Sequence, residues 1–167
     1  MTRFTLLIVL VFFAANMYPQ EKTKAPNKIK KTLTERYPDA EIVKSKGDWE
    51  MKGKSKQNKF WKVLFKHDGI LSSADFDSKG NWLQTKTKIS EEELPEAVMK
   101  TIEEYYYMYK IVIAARFENL KTEGYEVFLD NGNDGFDIQF SKEGEVLSRE
   151  ITSKGYRPID DDGNFVD

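Results

Sequence analysis

The sequence predicts an α+β fold made of two tandem α-β-β-β-β units, each a helix packed on an antiparallel meander. Three observations carry that prediction. Pro26 opens a segment in which Ile29, Leu33 and Tyr37 recur every four residues, and Pro95 opens another with Val98, Ile102 and Tyr106 at the same offsets. Downstream, Phe76-Asp-Ser-Lys-Gly80-Asn-Trp82-Leu83 is echoed by Phe140-Ser-Lys-Glu-Gly144-Glu-Val146-Leu147. Between them lie short apolar-rich segments separated by turn chemistry. Self-similarity of this kind identifies the structural unit before any single element does.

Each element follows from local chemistry. The stripe Ile29, Leu33, Tyr37 marks one face of a helix, with Pro26 in its first turn, where a missing N–H costs nothing. Tyr37-Pro38-Asp39 ends it, because proline disfavours helical geometry in the residue before it. Strand segments follow at Glu41–Ser45, Asp48–Gly53, Lys59–Lys66, Leu71–Asp77 and Trp82–Ile89, either as five strands or as four longer ones. Ser90 and Glu93 match a capping box. Pro95 places the start of the second helix proper near itself, and the helix runs to about Tyr107. Its strands are Lys110–Glu118, Gly124–Asp130, Phe136–Ser141 and Glu145–Thr152. The helices match at an offset of 69 residues and the later strands at 64, so the first unit carries five extra residues, placed in the Gly53–Asn58 loop.

Around these units, residues 1–20 read as a signal peptide cleaved between residues 15 and 20. Arg3 supplies a positive start, and Phe4 through Ala15 is an apolar run of signal-peptide length. That run is too short for a bilayer, which needs roughly 20 apolar residues. Residues 21–25 form a linker, 26–89 the first unit, 90–154 the second and 155–167 a tail. The chain contains no cysteine, which excludes disulfides, thiol chemistry, cysteine-based zinc sites and lipid attachment at a mature N-terminal cysteine. There are 26 basic and 28 acidic side chains; without Arg3 the balance is 25 to 28. The lysine-rich stretch Lys52–Lys62 in a net-acidic exported chain reads as a solvated strand edge and not as a nucleic-acid surface.

The doubled helix-plus-meander, the Leu94-Pro95-x-Ala-Val-x-x-x-Ile102 helix opening and the Phe76-Asp-x-x-Gly80-x-Trp-Leu turn resemble the PepSY-like, β-lactamase-inhibitor-like domains of exported bacterial proteins. The resemblance spans both units. It implies two helix-capped sheets joined into one concave surface, a periplasmic or secreted location and no catalysis, and it transfers no functional residue.

The candidate chemical constellations all have plainer readings. His67, the only histidine, sits in a hairpin turn without partners for catalysis or a metal. Asp130-Asn-Gly-Asn-Asp134-Gly135 has a glycine where a calcium loop needs its third-position oxygen, and Asp160-Asp-Asp-Gly163-Asn ends before a loop can close. Asp75 and Asp77 flank a turn and alternate with core residues. Within the tyrosine cluster, Tyr106 continues the helix stripe, while Tyr105 and Tyr109 share a face near the junction of the units.

Residues apolar in both units define the expected buried side: Trp61/Tyr125, Val63/Val127, Phe65/Leu129, Ala74/Ile138, Phe76/Phe140 and Leu83/Leu147. Strict alternation then turns Phe60, Leu64, Trp82, Phe128 and Val146 to the opposite side. Those five are the candidate partner-binding residues of a monomeric, non-enzymatic binding or inhibitory module. It would need no cofactor or metal and would grip an envelope or extracellular protein. The alternatives are that the concavity takes a small ligand, peptide or glycan, or that loop, tail or the other unit covers that side.

Overall fold

The computed structural model describes residues 25–52 and 55–152. The expected leader (residues 1–20) and tail (residues 155–167), with its Asp160–Asp162 run, lie outside the described residues.

Helix α1 (Asn27–Arg36) starts behind Pro26, which holds extended geometry at the N-cap while its carbonyl accepts from the Ile29 and Lys30 amides. Pro95 does the same for α2 (Glu96–Tyr105). Both prolines thus stand one place outside the helix and not in its first turn. The Ser90 capping box forms as well, but around a separate 3₁₀ turn (Glu91–Glu93), with the Glu93 carboxylate 2.8 Å from the Ser90 amide.

The strands are β1 (Glu41–Lys52), β2 (Ser55–His67), β3 (Ile70–Asp77), β4 (Trp82–Ile89), β5 (Lys110–Asn119), β6 (Glu123–Asp130), β7 (Gly135–Phe140) and β8 (Val146–Thr152). All eight form one antiparallel sheet in sequence order, with β4 and β5 paired at its centre. The proposed break between Ser45 and Asp48 does not exist, because β1 runs through it paired to β2. The five extra residues lengthen this hairpin: Ile42 opposes Phe65, whereas Ile111 opposes Leu129. Residues 55–58 are therefore strand and not loop. The β2–β3 turn is the two-residue Asp68-Gly69 link, both at positive φ, which suits the right-handed twist of the flanking strands.

Both helices pack on the same kind of face. Ile29 and Leu33 meet Val63, Phe65, Ala74 and Phe76, and Val98 and Ile102 meet Ala114, Val127, Leu129, Ile138 and Phe140. Each helix is also pinned to a turn. Thr32 Oγ1 reaches the Gly80 carbonyl at 2.9 Å, and Thr101 Oγ1 reaches that of Gly144 at 2.9 Å. A relay further ties α1 to the sheet centre. Trp82 Nε1 donates to Thr85 Oγ1, whose hydroxyl faces the Tyr37 phenol, and that phenol donates to Glu118, which also accepts from Arg36.

Alternation fails at two places where the turn echo ends. In β4 Asp75 pairs with Gln84 and Phe76 with Trp82, leaving Leu83 as a bulge residue. In β8 Gln139 pairs with Ser148 and Phe140 with Val146, leaving Leu147 unpaired. A bulge inserts one residue and moves everything beyond it to the other face. Leu83 and Leu147 are accordingly not core, and Leu147 is 46% exposed. Trp82 and Val146 turn toward the helices, contrary to the sequence expectation.

Candidate functional site

The face of the sheet that carries no helix is built by residues of one parity on β2 to β7. Leu64 pairs with Ser73, Ser73 with Lys86, Lys86 with Phe117, and Phe117 with Gly124. The next rows add Ala115 opposite Glu126, and Ile113 opposite Phe128 opposite Asp137. Of the five expected partner residues, Phe60, Leu64 and Phe128 stand on this face. Trp82 is in the α1 core under the Arg36 guanidinium, 3.7 Å from its ring. Val146 lines a cleft with Thr101, Tyr105 and Arg149 beside α2.

Burial on this face is unexpected. Leu64, Ile113, Ala115, Phe117 and Phe128 are all buried, Phe117 completely, yet none belongs to either helix-packed core. Phe117 lies across Gly124, its ring atoms at 3.0 and 3.2 Å from where a Cβ would be. A side chain at Gly124 would meet the Phe140 carbonyl oxygen first, at 2.1 Å, and then crowd that ring.

Charges are threaded through the apolar field. Lys86 Nζ donates to Glu126 Oε1 at 2.6 Å, and Gln139 Nε2 donates to the other Glu126 oxygen at 2.8 Å. Gln84 Nε2 donates to Asp75 Oδ2 at 2.5 Å, while Asp75 Oδ1 is buried and accepts nothing. Burial works against the Lys86 ammonium, but Glu126, Asp137 and Asp75 together raise its pKa. For Asp137 the balance runs the other way. Desolvation, then the neighbouring Glu126 charge, push its pKa up to about 6, with Lys86 opposing and Glu150 adding to the rise.

That shift gives a signed expectation. The folded state holds the Asp137 proton more tightly than the unfolded chain, so stability from this group is full below the ordinary value of 3.8 and is lost as pH rises through about 6. Replacing Asp137 with asparagine is expected to stabilise the protein by about 1–2 kcal/mol at pH 8, allowing for solvent screening, and to change nothing below about pH 4. Urea unfolding at the two pH values checks it; an equal effect at both would show that titration is not the cause.

The Asp130–Asp134 oxygens are engaged by the turn itself: Asp130 accepts from the Gly132 amide, Asn131 from those of Asn133 and Asp134, and Asp134 from Tyr109. Asp77 holds the Lys79 and Asn81 amides. His67 sits edge-on to Tyr37 at 5.6 Å. Tyr109 packs on Tyr106 and Phe136 in the α2 core, away from the junction of the units, while Tyr105 is 67% exposed. Among the described residues there is no cluster of metal-ligating side chains, and no helix is long and apolar enough to cross a membrane. A cleft of about 420 Å³ on the helix-bearing side is lined by Tyr37, Arg116, Glu118, Tyr125 and Lys142.

Sequence reasoning passed over Lys86, Glu126 and Phe117. The available signal was the pairing of a large aromatic with a glycine across strands and charges placed at strand centres.

A family model described as "Putative beta-lactamase-inhibitor-like, PepSY-like" matches residues 58–148. The fold resembles that of a BLIP-like protein from Bacteroides fragilis, at 24% identity and a TM-score of 0.60, covering 78% of this chain and 89% of that one. It also resembles a DUF2874 family protein from Bacteroides uniformis, at 19% identity and a TM-score of 0.62, covering 80% and 94%. A third structure, from Bacteroides eggerthii and described as a putative periplasmic protein, is 17% identical with a TM-score of 0.59, covering 76% and 88%. At these identities the likeness is one of fold. No curated protein matches the chain.

Proposed function

This chain belongs to the PepSY-like, beta-lactamase-inhibitor-like family, and we propose that it is an exported, non-enzymatic module that binds a protein through the helix-free face of its sheet. The observation that carries this reading is an apolar field, Leu64 to Phe128, that belongs to neither helix core and is interleaved with the Lys86–Glu126 pair. Apolar patches with polar groups among them are what protein interfaces use for affinity and register. In this reading the two α-β-β-β-β segments are copies of one unit, joined through β4 and β5 into a concave surface. The matched Thr32–Gly80 and Thr101–Gly144 contacts support duplication. Export to the periplasm is supported by the apolar run Phe4 to Ala15 and by the description of the Bacteroides eggerthii structure.

The surface to test is smaller than the sequence suggested. Phe60, half-buried on the helix-free face, is the most accessible of the three residues there, with Leu64 and Phe128 deeper. Trp82 and Val146 drop out because bulges turn them away. A photo-cross-linking amino acid at position 60 should yield one discrete adduct in the native cell envelope, and the same group at Lys30, exposed on α1, should not. Identical adducts from both positions, or none from position 60, would sink the reading.

A further inference from the structure

We propose that the seam between the two units, on the helix-bearing side of the sheet, is a binding groove for a carboxylate that carries a compact apolar group, with the Arg116 guanidinium as its anchor. The groove lies on the side opposite Phe60, so it stands or falls independently of the protein-binding reading. One cross-strand row carries the case. Phe65 pairs with Ser72, Ser72 with Thr87, Thr87 with Arg116, Arg116 with Tyr125, and Tyr125 with Phe140. Its ends, Phe65 and Phe140, are completely buried, one in each helix-packed core. Its middle lies between those cores and is polar. Cross-strand neighbours on one face stand about 5 Å apart, so the two hydroxyls, the guanidinium and the phenol form a line of donors.

Two clefts meet on this row. One, of about 420 Å³, extends from Thr87 and Arg116 to Glu118, Glu123 and Tyr125. The other, of about 370 Å³, extends from the same two residues to Ile70, Leu71 and Ile89. Both are of small-ligand size. The carboxylates of the lining are already engaged. Glu118 accepts from Arg36 and Tyr37, Glu123 from Lys142, and Glu93 from the Ser90 amide. Arg116 is different. It is exposed, and among the described residues its guanidinium makes no hydrogen bond or ion pair, acting on Glu118 only through space. Thr87 accepts the Ser72 hydroxyl at 3.1 Å and keeps its own proton to donate.

A carboxylate satisfies both groups. The planar guanidinium fork can take its two oxygens together, with the Thr87 hydroxyl alongside. The neighbours on either side of the row then set the rest of the ligand. On one side stand Ile70, 49% exposed, and the half-buried Ile89, which offer apolar contact to a substituent. On the other side the Glu118 and Glu123 charges repel a second negative group. That asymmetry selects an apolar monoanion over a phosphate or a dicarboxylate. Such a head group is supplied by a free aliphatic acid or by the C-terminal residue of a peptide.

The test titrates the protein with N-acetyl-leucine, isohexanoate and the neutral N-acetyl-leucinamide, followed by heteronuclear NMR. Signals of the Arg116 side chain and the Thr87 amide should move with the acids, and N-acetyl-leucine should bind about tenfold more tightly than its amide, as a charge-assisted hydrogen bond allows. Arg116→Gln should erase that preference and Arg116→Lys should reduce it. Arg149→Gln, at an exposed arginine of β8, should leave it intact. Ile70→Ser should weaken acid and amide alike. Equal affinity for acid and amide, undiminished acid binding by Arg116→Gln, or no movement at Arg116 and Thr87 overturns the proposal. Thermal unfolding checks that Arg116→Gln keeps its fold; if it does not, the contrast between acid and amide in the unaltered protein decides. Isohexanoate binding as tightly as N-acetyl-leucine supports the groove with a free acid as its source, and a preference for N-acetyl-leucine supports it with a peptide terminus.

Discussion

Replacing Phe117 with alanine is expected to cost about 3–5 kcal/mol, the usual range for a fully buried phenylalanine. Its side chain is at 0% exposure and touches neither helix core, so the loss would come from the helix-free face alone. The substitution would also strip the cover from Gly124 and leave its strand backbone open. Phe140→Ala, in the α2 core, is the matched control, because Phe140 is equally buried on the opposite face. Chemical unfolding should give similar losses for the two. A cost below about 1 kcal/mol for Phe117→Ala would mean that this ring is not packed as a core residue is. The result bears on function as well. A face with core-like burial at its centre, where the Lys86–Glu126 pair also sits, offers a partner chiefly its rim at Phe60.

The parts of this fold that local rules determine were readable in the sequence. Proline-led helices with apolar residues at intervals of four, and glycine-centred turns at Gly80 and Gly144, required only short-range chemistry. The strands of the second half were located to within a residue or two for the same reason. What could not be read was register beyond a bulge. Nothing in Trp82-Leu83 or Val146-Leu147 announces which residue is the extra one, since both are apolar and either fits a core. Pairing with Phe76 and Phe140 decides it, and pairing is a tertiary fact.

The helix-free core was hidden for a different reason. Comparing the two halves favours positions that are apolar in both, and β5 has no apolar counterpart on that face. Counting back 69 residues from Ile113, Ala115 and Phe117 reaches Lys44, Lys46 and Asp48. The difference has a physical cause. β1 is an edge strand, where charge deters edge-to-edge pairing, whereas β5 lies mid-sheet between β4 and β6. The asymmetry between the halves carried the information that their similarity concealed.

The two turn glycines should respond unequally to the same substitution. Both hold left-handed geometry, φ +90° at Gly80 and +82° at Gly144, so alanine pays about 1–2 kcal/mol at either for its backbone alone. Their neighbours differ. A Cβ at Gly80 would meet Lys28 Cγ at 3.0 Å, on a flexible exposed side chain that can move aside. At Gly144 it would lie 2.4 Å from the Ala97 carbonyl oxygen and 2.7 Å from its carbon, which are backbone of α2. Relief there requires the helix to lift, and lifting strains the Thr101 hydroxyl's reach to the Gly144 carbonyl and the packing of Val98 and Ile102 beneath. Gly144→Ala is therefore expected to cost about 3–4 kcal/mol and Gly80→Ala about 1–2 kcal/mol. Thermal unfolding of the two single variants measures the gap. Equal losses would show that α2 yields as readily as a lysine side chain, and that the close seating of helix on turn does not restrain the second half of the sheet.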